Sequence, residues 1–249
     1  MIRFEQVSKT FNKGKANEVQ AVKPLDLTVD NGDHLVIVGS NGSGKSTLLN
    51  LTAGSLLPTS GRIHFDDTEV TRMPDHERSR WIARVFQNPL SGTAPDLSIL
   101  DNFRLAALRT KSKGLRIGTS DAFKKQVQDK VSILNMGLQD KLGQAMGTLS
   151  GGQRQALTLL MSVMDECKIL LLDEPTAALD PRSAALVMST ADKLIKELKL
   201  TAILITHNLK DAHQYGNRLI QMDDGDIIRD LSTESKLNLT QVDLFAWFS

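Results

Sequence analysis

Leu35-Val36-Ile37-Val38-Gly39-Ser40-Asn41-Gly42-Ser43-Gly44-Lys45-Ser46-Thr47 is the stretch whose reading decides the fold. Its first four residues are an apolar run that reads as a strand; a helix beginning at Lys45 carries Leu48, Leu49 and Leu51 until Gly54, and Pro58 blocks extension. Between strand and helix, Gly39 to Thr47 fits G-x-x-x-x-G-K-[ST], and a strand before with a helix after is the setting in which this pattern cradles phosphate. The glycines let successive backbone N–H groups close around phosphate oxygens, and the helix N-terminus adds the positive end of its dipole. Lys45 then reaches the β and γ phosphates, and the Ser46 hydroxyl is placed for Mg²⁺. Ser40, Asn41, Gly42, Ser43, Gly44, Lys45, Ser46 and Thr47 are therefore candidate nucleotide contacts. An ordinary Gly/Ser turn is the bland alternative, and the flanking elements together with the Lys-Ser pair argue against it.

Working outward, Ile2 to Val7, Val22 to Val29 and Arg62 to Phe65 read as further strands. From about Pro89 to Leu149 the pattern turns helical: Ser120 or Asp121 can cap a helix in which Phe123, Val127, Val131 and Leu134 recur before Gly137 ends it. Strands return at Ile169 to Leu172, Ala202 to Thr206 and Arg218 to Met222, with a helix opening at Asp180-Pro181. Strands alternating with helices predict an α/β fold with a mainly parallel sheet.

A phosphate loop needs a carboxylate on a neighbouring strand, and Ile169-Leu170-Leu171-Leu172-Asp173-Glu174 supplies two. Asp173 can orient Mg²⁺ through its water shell, while Glu174, one residue on and pointing differently, can polarise an attacking water. Standing alone, such an Asp-Glu pair would be an ordinary solvated strand end. The 249 residues carry 30 Lys+Arg against 29 Asp+Glu, so no global basic field favours nucleic acid as a partner. No apolar run approaches the roughly 18 residues of a membrane span. Cys167 is the single cysteine, which excludes an intrachain disulfide and suits a reducing compartment; it reads as a small buried residue. His64 and His76 lack neighbours at metal-ligand spacing.

With Leu149-Ser150-Gly151-Gly152-Gln153 the chain resembles the ATP-binding subunits of ABC transporters. The resemblance runs over essentially the whole chain and follows the family's motif order: Gly39 to Thr47, Gln87 within Val85-Phe86-Gln87-Asn88-Pro89, the signature Leu149 to Gln153, Asp173-Glu174, Ala177-Ala178-Leu179-Asp180, and His207 in Ile205-Thr206-His207. It implies a P-loop NTPase core with an N-terminal antiparallel β subdomain and an inserted α-helical subdomain. The single domain 1–249 would divide at about 1–87 and 156–249 for the core and 88–155 for the helical signature subdomain.

The resemblance also assigns roles. Ser150, Gly151, Gly152 and Gln153 would cover a nucleotide held by the phosphate loop of a second copy, Gln87 would reach the metal and attacking water, and His207 would donate to the γ-phosphate. Phe11 stands where the family stacks an aromatic on adenine, although Phe4 and Phe65 read as strand core. Asp180 would sit at the subunit boundary and equally serve as a helix N-cap. Cofactors are then ATP and Mg²⁺; partners are transmembrane permease subunits, a second copy of the chain and an extracytoplasmic substrate-binding protein; the place of work is the cytoplasmic face of the membrane, peripherally. A short permease helix would dock near Leu90, Leu97, Ile99 and Leu100, or these four form the insertion's own core. Asp140 to Thr148 lacks the T-E-V-G-E-type segment of many exporters, which favours import, and Asn88 to Pro95 with Gln153 to Leu160 looks like a group of importers some of which are linked to amino acids. An exporter ATPase, an ABC ATPase acting in translation or on DNA, and a non-hydrolysing scaffold are the rivals; one complete motif set with Lys45, Asp173, Glu174 and His207 intact argues against the last two. The basic residues Arg109, Lys111, Lys113 and Arg116 read as a solvated loop, with acidic lipid headgroups the alternative, and the apolar tail Leu239 to Phe248 is expected to pack on its own domain or across a dimer.

Overall fold

The computed structural model describes residues 1–109 and 120–248. The chain runs β1 (Ile2–Phe11), β2 (Val19–Val29), β3 (His34–Gly39), α1 (Lys45–Ala53), β4 (Ser60–Phe65), β5 (Thr68–Glu69), α2 (Asp75–Arg78), β6 (Ile82–Val85), α3 (Ile99–Ala106), α4 (Asp121–Ser132), α5 (Gly151–Ser162), β7 (Ile169–Asp173), α6 (Pro181–Glu197), β8 (Thr201–Ile205), α7 (Leu209–Gln214), β9 (Arg218–Asp223), β10 (Asp226–Leu231), α8 (Thr233–Leu237) and α9 (Gln241–Ala246). One sheet has the order β10-β9-β3-β8-β7-β6, parallel from β9 to β6 with β10 antiparallel at the edge. A second, antiparallel sheet has the order β2-β1-β4-β5. The mixed α/β architecture expected of a P-loop NTPase is the one observed.

Period-two alternation divides the larger sheet between two cores. Val36, Val38, Leu170, Leu172, Ala202 and Leu204 face a cluster shared with Ile99 and Phe103 of α3, Val127 and Val131 of α4, and Leu157 and Leu160 of α5. Leu35, Ile37, Leu171, Ile203 and Ile205 face the other way, onto Leu48, Leu49 and Leu51 of α1 and the second sheet's Ile2, Phe4 and Ile63. The helical insertion therefore shares a continuous core with one face of the sheet.

One boundary differs from the sequence expectation. Helix α4 ends at Ser132, well before Gly137, because Asn135 takes a left-handed conformation (φ 52°) that asparagine tolerates; Leu134 lies beyond the helix yet stays buried. Arg78, which was not singled out by the sequence, is wholly buried, and its guanidinium donates to the carbonyls of Leu51, Thr52, Val70, Thr71 and Met73. It pins α2 to the C-terminal end of α1, and burial lowers its pKa to about 10.

His34, the first residue of β3, is 6% exposed, and its Nε2 has no hydrogen-bond partner. Burial lowers its pKa from 6.5 to about 4, with Asp192 opposing the shift and Lys236 and Lys196 adding to it. Between those values the unfolded chain binds a proton that the folded chain does not, so stability is full above pH 6.5 and falls as the pH drops toward 4. The expected loss from this group is roughly 3 kcal/mol. His34→Gln should flatten the pH dependence of the urea midpoint between pH 7 and pH 4 by about that amount; an unchanged slope would assign the acid sensitivity elsewhere.

Candidate active site

Strands β3, β6, β7 and β8 deliver the sequence-expected residues to one edge of the sheet. The register pairs Ile37 with Ile205, Asp173 with Ile205 and Val85 with Leu172, so Gly39, Gln87, Glu174 and His207 all emerge at the carboxyl edge. Gly39 (φ 155°) and Gly44 (φ 98°) adopt conformations that side chains disfavour, and a Cβ would lie 2.2 Å from the Met222 carbonyl oxygen at Gly39 or 2.4 Å from that of Ala21 at Gly44. The loop can pack against β9 and β2 only with glycine at these places. Lys45 is 5% exposed, and its Nζ donates to the carbonyls of Gly39 (2.8 Å) and Ser40 (2.7 Å) and to Ser43 Oγ (3.4 Å). Burial lowers the lysine pKa, while the Glu174 carboxylate acts in the opposite direction.

A cleft of about 400 Å³ opens on this loop, lined by Phe11, Val19 and Ala21 from the second sheet, Asn41, Gly42, Gly44, Lys45, Ser46 and Thr47 from the loop and α1, and Glu174 and His207. Phe11 thus faces the phosphate loop across the cleft and is not in the strand core. Glu174 sits at φ 45°, a strained conformation for a residue with a side chain. Its Oε1 lies 2.5 Å from Nε2 of His207, and its Oε2 accepts from Gln87 Nε2 at 3.1 Å. Asp173 is instead bound to Arg84 Nη2 at 2.7 Å. Two larger clefts, about 670 and 620 Å³, lie at the opposite edge of the sheet beside Lys168 and His34 and include no phosphate-loop residue.

Ser150 caps the 12-residue α5 through a reciprocal capping box with Gln153, which leaves Ser150 and Gly151 exposed and Gly152 buried. Ser150 to Gln153 do not line the cleft of their own chain. Asp180 accepts from the Arg182 and Ser183 amides at 3.1 Å, so the N-cap reading holds, and hydrogen bonding to Ser183 lowers its pKa. Gln155 was not singled out by the sequence: it is wholly buried, and its Nε2 donates to the carbonyls of both Phe86 and Pro175 at 2.9 Å. The available signal was an amide on a helix face otherwise made of Ala156, Leu157, Leu159 and Leu160.

Three sequence expectations need correction or division. Ile99 is fully buried and belongs to the insertion core, and Leu100 packs beside it, whereas Leu90 and Leu97 are exposed. Arg109 is not a free solvated cation, because its guanidinium donates to the carbonyls of Ser162, Asp165 and Glu166; Lys111, Lys113 and Arg116 lie outside the described residues. In the tail, Leu244 is buried and Trp247 packs on the chain's own core, with Phe248 lining a second cleft beside Gly39 to Asn41 and His207. Cys167 is partly buried, and burial raises its thiol pKa.

A phosphate loop, a carboxylate-bearing strand end and an opposed aromatic on a mainly parallel sheet mark a nucleoside-triphosphate site. The sequence profile of the ABC transporter family matches residues 22–177, and the chain belongs to that family. It is similar over its whole length to the tyrosine transport ATP-binding protein of Clostridioides difficile, 36% identical over 252 residues that cover 100% of this chain and 98% of the relative. A phosphonates import ATP-binding protein of Bdellovibrio bacteriovorus is 32% identical over 232 residues, covering 92% of this chain and 87% of the relative. Among solved structures, a dimeric ATP-binding cassette in a post-hydrolysis state with ADP and Pi superposes with a TM-score of 0.79 at 27% identity, covering 94% of this chain and 99% of that one. The chain is accordingly an ATP-binding transport ATPase subunit. Among the described residues no helix is long and apolar enough to cross a membrane.

Gly152 yields a direct structural test. A Cβ there would lie 2.5 Å from Ser183 Cβ and 2.3 Å from its Oγ, because α5 crosses the start of α6 at close range. Gly152→Ala should cost about 1–3 kcal/mol from overpacking, and Ser183→Gly should recover most of it. The double-mutant cycle in thermal denaturation checks this, and additive losses would mean that the two helices do not meet there.

Proposed function

We propose that this subunit works as a head-to-tail pair around two ATP molecules and drives solute import through separate transmembrane permease subunits. The observation that carries the reading is the incomplete cleft: the phosphate loop, Phe11, Glu174 and His207 share it, while the exposed N-terminus of α5 with Ser150 and Gly151 does not. A helix N-terminus bearing a hydroxyl and open backbone N–H groups suits a γ-phosphate, and a second copy would supply it. The dimeric state of the solved cassette supports this assembly.

In each composite site Phe11 stacks on adenine, the loop amides and Lys45 hold the phosphates, and Glu174 takes the proton of the attacking water. Ser46, the Gln87 amide oxygen and Asp173 acting through water make a hard oxygen donor set that fits Mg²⁺, an ion that pairs one or two carboxylates with substrate phosphates. When bound, Mg²⁺ neutralises charge on the phosphate oxygens. His207 and Gln87 hold the two oxygens of Glu174 and so keep the base in place. The permease would contact the face carrying exposed Leu90 and Leu97, and an extracytoplasmic binding protein would deliver cargo from the far side of the membrane. Amino-acid-like cargo is the favoured class, supported by the sequence stretch Asn88 to Pro95 and by the full-length similarity to a tyrosine transport subunit.

Glu174→Gln should retain ATP affinity while turnover with the permease present falls by at least ~10²-fold, whereas Lys45→Ala should lose binding. Crosslinked pairs of Lys45→Ala with Ser150→Arg chains should gather both lesions in one site and keep the other active. Full turnover by a strict monomer would overturn the shared site, and near-normal turnover by the glutamine variant would remove Glu174 from its role.

A further inference from the structure

We propose that Arg84 is a positioning residue for the metal-side carboxylate, holding Asp173 from behind and tying it to the phosphate-loop helix and to the Gln87 segment. The inference rests on the reading of Asp173 as the metal-facing acid and adds a group that reading does not contain. Arg84 lies on β6 opposite Leu171 of β7, so Arg84, Leu171 and Asp173 share the sheet face that α1 covers. Its Nη2 donates to Asp173 Oδ2 at 2.7 Å, and its Nη1 donates to Asn50 Oδ1 of α1 at 2.7 Å. The guanidinium also stacks over the ring of Phe86, the residue before Gln87, at 4.6 Å.

Both members of the ion pair are largely shielded, with side-chain exposures of 14% for Arg84 and 15% for Asp173. A pair so placed is held in one geometry, unlike the exposed pairs whose long side chains sample many. One oxygen of Asp173, Oδ2, is committed to the guanidinium, and Oδ1 would be the oxygen that serves a cation through its water. Lys45 and Ser46 begin the helix that bears Asn50, so one planar cation links the phosphate end, the carboxylate and the strand leading to Gln87. A lysine would offer charge at this place but no fork.

The test is Mn²⁺ binding to the full chain with ADP present, read by electron paramagnetic resonance, alongside binding of a fluorescent ADP analogue in EDTA and the thermal midpoint. Arg84→Met should weaken Mn²⁺ about 10-fold, the scale of a lost group behind a metal ligand, and leave metal-free ADP affinity within about twofold. Arg84→Lys should recover part of the loss, and Asn50→Ala, which frees the far side of the fork, should move Mn²⁺ affinity in the same direction by less. If Arg84→Met does not fold, the lysine and Asn50 variants carry the test on the same readout. Unchanged or tighter Mn²⁺ binding in these variants overturns the proposal, the latter because it would make Arg84 a competitor of the metal. Asp173→Asn separates the two readings: if it leaves Mn²⁺ affinity intact the metal role of Asp173 fails, and if it weakens Mn²⁺ while the Arg84 variants do not, this inference alone fails.

Discussion

The parallel hydrogen-bond ladder joining β3, β8, β7 and β6 sets the level at which four strands stop, and the site is built on that edge. Because Ile205 is level with both Ile37 and Asp173, the phosphate loop, the acidic pair and His207 leave the sheet at one height. A shift of one residue in any of these pairings would exchange the side chains that face the two cores as well as misplace the residues that follow the strand, since side chains alternate with period two. The buried faces therefore hold the chemical register. Val36 and Val38 on one side and Leu35 and Ile37 on the other oppose slippage of β3, whose last residue opens the loop.

At that edge the backbone gives up comfort for placement. Glu174 occupies a left-handed conformation at a cost on the order of 1–3 kcal/mol, and its amide is held by the Ile205 carbonyl at 3.0 Å. The turn re-aims the chain after β7, so that Asp173 points to Arg84 while its neighbour points to His207 and Gln87. Adjacent acids thereby acquire different partners. An extended Glu174 would put its carboxylate on the opposite face of the strand, away from both.

The parts of this arrangement that were legible in the sequence are those encoded by local pattern. Gly39 to Thr47 announces itself through its glycines, two of which, Gly39 and Gly44, leave no room for a side chain, and Asp180-Pro181 and Ser120 announce helix starts through capping chemistry. The paired acids follow from an apolar run ending in charge. What escaped were residues whose meaning depends on elements far apart in the chain. Arg78 and Arg84 look like surface cations until the fold brings α1 and β7 beside them. Gln155 looks like one more polar position on an amphipathic helix until the carbonyls of Phe86 and Pro175 converge on it. The left-handed Asn135 displaced a helix end because asparagine carries a turn option that a hydrophobic-spacing argument ignores.

Gln155 joins the segments around the cleft to helix α5. Its side chain is the buried link between the segment leading to Gln87 and the segment following Glu174, and it belongs to α5, whose N-terminus carries Ser150. Breaking either bond would leave a carbonyl unsatisfied inside the core, a cost of about 1–3 kcal/mol. Separating α5 from the Gln87 strand end therefore carries that cost. The shared core, in which Val38 and Leu172 of the sheet lie in one cluster with Phe103 of α3 and Val131 of α4, spreads the same constraint over the insertion. The Glu174 end of the cleft and the N-terminus of α5 are thus joined by contiguous packed and hydrogen-bonded side chains, the kind of connection through which a displacement at one end is felt at the other.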